Sequence, residues 1–195
     1  MKILLITSEE WNDYVFGNGV LTNWFTGYDA EFAQIYTSPG LPINSCCEQY
    51  FQITDSQMVK SIFGGGKAGH QVSRVEKSTE IAEAKQNAQR KDVYGVMKKV
   101  SMTFNTPVQL IRDFIWTSGR YDTDALRQFV QVFNPDVVFC PRYITPKMMR
   151  LEKLVSTMTE APFVAFTADD EASIPSYGSW LSRLRKRLIH NNFKK

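Results

Sequence analysis

Three short stretches of the chain are continuously apolar, and between them the apolar residues recur at spacings of three and four. Ile3–Ile6 is an unbroken apolar run followed by the polar Thr7-Ser8-Glu9-Glu10, the pattern of a strand buried on both faces. Val137–Cys140 and Phe163–Phe166 have the same character, so all three are predicted as inner strands of a parallel sheet. Phe32–Tyr36 reads as a further strand, stopped by Ser38-Pro39-Gly40, and Tyr50–Ile53 as a short one.

Helical spacing fills the intervals. After a loop from Glu9 to Gly19, residues Val20, Leu21, Trp24, Phe25 and Tyr28 mark one helix. Asp55 or Ser56 is placed to cap a second, which runs to Phe63 and ends at Gly64-Gly65-Gly66. Lys67–Asp92 is polar and reads as a mobile insertion with a surface helix around Thr79–Arg90; Val93–Asn105 is amphipathic. Thr106-Pro107 restarts a helix, Thr as cap and Pro at its first position, with Leu110, Ile111, Phe114 and Ile115 as the buried stripe. Asp122-Thr123-Asp124 opens another, whose Leu126, Phe129, Val130 and Phe133 fall at i, i+3, i+4 and i+7; Asn134-Pro135 ends it. Thr145-Pro146 starts a helix with Met148, Leu151, Leu154, Val155 and Met158 inward, and Ser179 to about His190 forms the last. Strands alternating with helices predict a single α/β domain, a Rossmann-like parallel sheet with helices on both faces and right-handed crossovers.

Composition narrows the function classes. The 195 residues are 43% apolar and 22% charged, with 13 Phe, 8 Tyr and 4 Trp, which supplies a core and excludes a disordered chain. No apolar run approaches the roughly 18–20 residues of a membrane span. The first apolar run is also too short for a secretory signal, whose core needs about 7–15 residues, so the reading is a cytoplasmic protein. Cys46, Cys47 and Cys140 are odd in number and give no disulfide framework, and with only His70 and His190 there is no zinc-ligand set. The net charge of +3 hides an asymmetry. Six Lys or Arg and no carboxylate lie between Arg183 and Lys195, which leaves −3 for the rest. A nucleic-acid-binding domain would spread its cations over a face, so none is predicted.

In an open parallel sheet the ligand sits beyond the carboxyl ends of the strands, which singles out the segments after Ile6, Cys140 and Phe166. The first holds Trp11, Asp13 and Gly17-Asn18-Gly19 ahead of a helix. It is either a ligand loop whose backbone N–H groups approach an anion or a plain strand-to-helix turn. The pattern is not the dinucleotide fingerprint, because Thr22 stands at the third glycine position. The third segment holds Asp169-Asp170-Glu171: a general base, a polar-substrate clamp or a cation site on one reading, a solvated capping turn on the other. Arg142 and Tyr143 either hold a phosphate or sugar or pack on the surface. Gly64-Gly65-Gly66-Lys67 is not a P-loop, since Ala68 follows the lysine and a helix precedes the glycines; His70 is read as an ordinary loop histidine ahead of a catalytic one. In the last helix Trp180, Leu181, Leu184 and Leu188 share one side, while Arg183, Lys186 and Arg187 point elsewhere. Such a helix either packs on its own domain or lies on an anionic membrane.

Taken in order, Lys2–Thr7 with Gly17-Asn18-Gly19-Val20, the stretch from Phe114-Ile115-Trp116 through Phe133-Asn134-Pro135-Asp136-Val137-Val138-Phe139, and Ala161-Pro162-Phe163-Val164 through Thr167-Ala168-Asp169-Asp170 resemble the N-terminal domain of bacterial glycosyltransferases of the two-domain GT-B architecture, the retaining group 1 or GT4-like enzymes. The resemblance spans most of the chain outside Lys67–Asp92. Many relatives have a histidine where Asp169 stands, so a histidine role there is not carried over.

The resemblance implies an acceptor-side domain of a cytoplasmic transferase that passes a sugar from a nucleotide-sugar to a saccharide or lipid-linked acceptor of a cell-surface polysaccharide or glycolipid. Gly17, Asn18, Gly19 and Arg142 would touch the acceptor, and Asp169 and Asp170 would be the catalytic clamp or base. Arg183, Arg185, Lys186 and Arg187 would face an anionic membrane. No metal or cofactor is implied. The donor would be bound mainly by a second domain with a Glu-x7-Glu motif that these residues do not include, so the chain alone is expected to be inactive. The alternatives are a self-contained binding module for a small anionic ligand and a structural partner of a separate catalytic chain.

Overall fold

The structure, a computed structural model, describes residues 1–14, 19–74, 105–141, 145–167 and 180–193. Its elements are β1 (Lys2–Thr7), α1 (Val20–Phe25), β2 (Glu31–Tyr36), β3 (Gln49–Gln52), α2 (Asp55–Ile62), β4 (His70–Val72), α3 (Asn105–Ser118), α4 (Thr123–Phe133), β5 (Val137–Pro141), α5 (Pro146–Ser156), β6 (Phe163–Phe166) and α6 (Trp180–Phe193). The six strands form one sheet in the order β4-β3-β2-β1-β5-β6, parallel except for β4. The fold is α/β and Rossmann-like. The chain steps outward from β1 to β2 and β3, then returns to the other side of β1 at β5. The crevice outside the carboxyl ends of β1 and β5 is therefore the topological switch point.

Each inner strand divides its side chains between two layers. Leu4, Ile6, Ala33, Ile35, Phe51, Ile53, Val138 and Cys140 face a core closed by Met58 of α2, Trp116 of α3, the Leu126–Phe133 stripe of α4 and Met148, Leu151 and Val155 of α5. Ile3, Leu5, Phe32, Tyr36 and Tyr50 face the opposite way, onto Trp11 and Leu21 and Phe25 of α1. The short apolar runs are thus two-sided, as strands covered on both faces require.

The helix ends follow their local chemistry. Thr54 accepts from the Gln57 amide at 3.3 Å while Gln57 Oε1 accepts from the Thr54 amide at 2.9 Å. The cap of α2 is therefore Thr54, one residue before the predicted Asp55 or Ser56, because Thr-x-x-Gln closes a reciprocal pair. Asp122 caps α4, Asn134 ends it in the left-handed region at φ 51°, and Thr145 with Pro146 opens α5.

Four sequence expectations are corrected. β6 is an edge strand rather than an inner one, with Phe163 38%, Val164 48% and Phe166 43% exposed: an apolar run reports a strand's affinity for burial, not its place in the order. Residues 67–74 are not loose: Ala68 is fully buried and His70–Val72 pairs antiparallel with β3. Helix α3 begins at Asn105, ahead of the predicted Thr106 cap. Of its expected stripe Ile115 packs on the core and Leu110 is half-buried, but Ile111 and Phe114 are exposed and Trp116 is the fully buried residue, because the neighbouring Arg112 and Asp113 are claimed by charges on α2 and α6. The predicted insertion beyond residue 74, with its helix around Thr79–Arg90 and the stretch from Val93, lies outside the described residues. No described helix is long and apolar enough to cross a membrane.

Candidate functional site

The switch point carries a cleft of about 210 Å³, walled by the turn after β1, the first residues of α1 and Pro141 at the end of β5. Its polar walls are fixed from beneath. Gln34, in the middle of β2 and fully buried, donates through Nε2 to Thr7 Oγ1 at 2.8 Å and to the Glu9 carbonyl at 3.1 Å. Its Oε1 accepts from the Trp11 amide at 3.0 Å. Thr7 Oγ1 donates to the Glu9 carbonyl at 2.6 Å. One buried amide thus ties down the whole Thr7–Trp11 turn. A polar group is tolerated in the sheet there because all its bonds are made.

A second buried amide does the same for the loop after β2. Gln52 Nε2 donates to the carbonyls of Ser38 and Gly40, each at 3.0 Å. Ser38 Oγ accepts from the Glu10 amide at 2.9 Å and donates to the Glu10 carboxylate. Glu10 is buried, and a Cβ on Gly40 would lie 1.7 Å from its Oε1. Glycine at position 40 makes the room that this carboxylate occupies.

On the α1 side, Trp11 Nε1 donates to Thr22 Oγ1 at 2.7 Å, and Thr22 Oγ1 donates to Asp13 Oδ1 at 2.6 Å. The backbone of Trp11 and Asp13 pairs with Ile43 at 3.0 Å in both directions. Asp13 is oriented by this chain of bonds, and Trp24, 39% exposed, stands on the cleft wall with its ring against Phe166 at 5.1 Å. The Glu9 carboxyl is raised above the usual carboxylate range, chiefly by burial and next by Glu10, with Lys147 opposing. Burial and Glu10 together push the Tyr36 phenol upward.

Of the residues singled out from sequence, Gly19 lines this cleft at φ 71° at the head of α1. A Cβ there would meet nothing closer than Asp13 Oδ1 at 3.9 Å. The backbone angle, not crowding, is what asks for glycine. Gly17, Asn18, Arg142, Asp169 and Asp170 lie outside the described residues. Arg183, Lys186 and Arg187 are exposed on α6. Arg185 departs from its membrane-facing expectation. Its Nε and Nη2 donate to Asp113 at 2.6 and 3.1 Å, and Nη1 to Gln109 at 2.8 Å, so this guanidinium anchors α6 to α3.

Sequence reasoning noted Trp11 and Asp13 but missed Glu10, Trp24, Gln34 and Gln52. The available signal was a glutamine inside each of two predicted strand runs, Gln34 in Phe32–Tyr36 and Gln52 in Tyr50–Ile53, where an apolar residue is ordinary. Compared with known proteins, the chain matches no family model, no curated protein and no solved structure.

Proposed function

We propose that the chain is the acceptor-side domain of a glycosyltransferase and that the cleft beside β1 and β5 receives the acceptor saccharide. One observation carries this reading: at the switch point an indole wall, Trp24, stands with two carboxylates, Glu9 and Asp13, on one preorganised surface. A sugar ring offers a C–H face that packs on an aromatic ring and hydroxyl groups that donate to carboxylates. A volume of about 210 Å³ suits a single ring rather than a dinucleotide, since drug-sized ligands take roughly 300–1,000 Å³.

In the proposed reaction an acceptor hydroxyl is held against this surface while a nucleotide-sugar is presented from a second domain. A carboxyl with a raised pKa, such as Glu9, is suited to take the hydroxyl proton as the acceptor oxygen bonds to the anomeric carbon and the bond from that carbon to the nucleotide's phosphate oxygen breaks, the nucleoside diphosphate leaving with the electron pair. Asp169 and Asp170 remain proposed as clamp or base at the end of β6, and Gly17, Asn18 and Arg142 as acceptor contacts. Binding of neutral oligosaccharides, followed by NMR titration of the chain, tests the reading. Trp24→Ala should weaken binding at least tenfold with the fold intact. Nucleotide-sugars binding more tightly than any saccharide, or saccharide affinity indifferent to Trp24, would overturn it.

The outward face of α6 supports a peripheral membrane role in the same scheme. Trp180, Leu184 and Leu188, at i, i+4 and i+8, are 70%, 45% and 55% exposed beside Arg183, Lys186 and Arg187. An apolar stripe flanked by cations suits an anionic lipid surface. Sedimentation with vesicles should require anionic lipid and fall as salt rises; co-sedimentation independent of both would remove the role.

A further inference from the structure

Lys147 is buried against an aromatic ring and without an ion-pair partner among the described residues. It is 8% exposed at the second position of α5, and its ammonium lies 5.3 Å from the Trp116 ring centroid. No hydrogen bond or ion pair engages its Nζ among the described residues. The nearby acid that would ordinarily pair with it is taken: Asp55 accepts from Trp116 Nε1 at 2.5 Å and from Arg112 Nε at 3.4 Å on Oδ1, and holds Arg112 Nη2 at 3.0 Å on Oδ2. Glu9 faces Lys147 from the turn after β1, and Arg112 repels it from α3.

This placement is unfavourable three times over. A buried ammonium loses its hydration, a cation near a helix N-terminus opposes the helix dipole, and Arg112 adds like charge. Each of these would be relieved by an anion. Trp116 and Asp55 bridge the two cations: the Lys147 ammonium lies over the Trp116 ring, and Asp55 joins Trp116 Nε1 to Arg112. Lys147 itself sits in the first turn of α5, the helix that follows β5 at the carboxyl edge of the sheet, where this class of fold binds ligands.

We propose that Lys147, backed by Arg112 and the head of α5, is a binding site for a phosphoryl group, next to the saccharide cleft and separated from it by Glu9. Burial, seconded by Arg112 and opposed by Asp55 and Glu9, lowers the Lys147 amine to about pKa 8. The site should therefore hold its anion near neutral pH and release it as pH rises past that value.

Two probes separate the sources of such a group: inorganic pyrophosphate for a free phosphoryl compound, farnesyl phosphate for a lipid-linked one. One or both should bind the wild-type chain, at least tenfold more weakly to Lys147→Met, and more weakly at pH 9.5 than at pH 7. A preference between the probes assigns the source. Saccharide binding should survive in Lys147→Met, because Trp24 and Asp13 are untouched, so the two sites fail independently. As a check needing no variant, pyrophosphate or farnesyl phosphate should protect Lys147 from acetylation by an activated ester, read by peptide mass spectrometry. Binding of neither probe, equal binding to Lys147→Met, or undiminished acetylation in their presence would overturn the proposal.

Discussion

The two faces of the sheet are built from alternate residues of the same strands, yet they do different work. One face presents only apolar side chains, from Leu4 and Ile6 across to Phe51 and Ile53, and four helices close over it. The other begins in the same way with Ile3, Leu5 and Phe32, but toward the carboxyl end it turns polar at Thr7, Gln34 and Gln52. There the cover is the six-residue α1, with none of its residues fully buried, together with the loop residues Trp11 and Cys47. Where the first face spends its surface on packing, the second spends it on hydrogen bonds that shape loops. Stability should therefore reside mainly in the first face and ligand binding at the end of the second.

The largest test of this contrast is to damage the closed face. Phe51→Ala, which removes a buried ring packed on Phe129 at 5.5 Å, should cost about 3–5 kcal/mol, the usual loss for a core aromatic. Urea denaturation would measure it, and a loss below 1 kcal/mol would deny that face its role.

Lys147 gives the next largest effect, and its sign is fixed. The folded-state amine, at about 8, lies below the unfolded value of roughly 10.4, so between those values the unfolded chain binds more protons and stability rises with pH. The full relief is about 3 kcal/mol. Burial of the Cys47 thiol, pushed up to about 12, works the other way above the ordinary thiol range. The measurement is therefore the difference between wild type and Lys147→Met. Lys147→Met should be the more stable at pH 7, and the gap should close toward pH 10. A constant gap would contradict the assignment.

On the site-forming face, Gln34→Leu keeps the volume and deletes every bond to the Thr7–Trp11 turn. It should cost about 1–3 kcal/mol, since buried partners such as the Trp11 amide are left unpaired, and should lower saccharide affinity more than Phe51→Ala does when each is compared at equal stability. Retained affinity with lost stability would make Gln34 merely structural. Smallest is Gly19→Ala, about 1–2 kcal/mol for an L-residue held in the left-handed region; urea denaturation should show a loss of that size together with weaker saccharide binding, and an unchanged midpoint would mean that the backbone angle does not require glycine.

The strands and the capped helices were legible because they depend on spacings of two and of three to four, which the chain displays locally. Ile3–Ile6, the α4 stripe and the Thr145-Pro146 start all rest on residues within one element, and so does the α/β class. The position of β6 at an edge, the inward turn of Trp116 on α3 and the tie of Arg185 to Asp113 depend on which elements become neighbours. The cleft depends on it still more: Gln34 reaches Trp11 across 23 positions and Glu10 reaches Ser38 across 28. Lys147 is an ordinary helix-start lysine until Asp55 is claimed by Trp116 from 61 positions away. Local patterning determined what each segment would become. Only the folded chain decided which polar groups would lose their water together, and that shared desolvation is what makes a site.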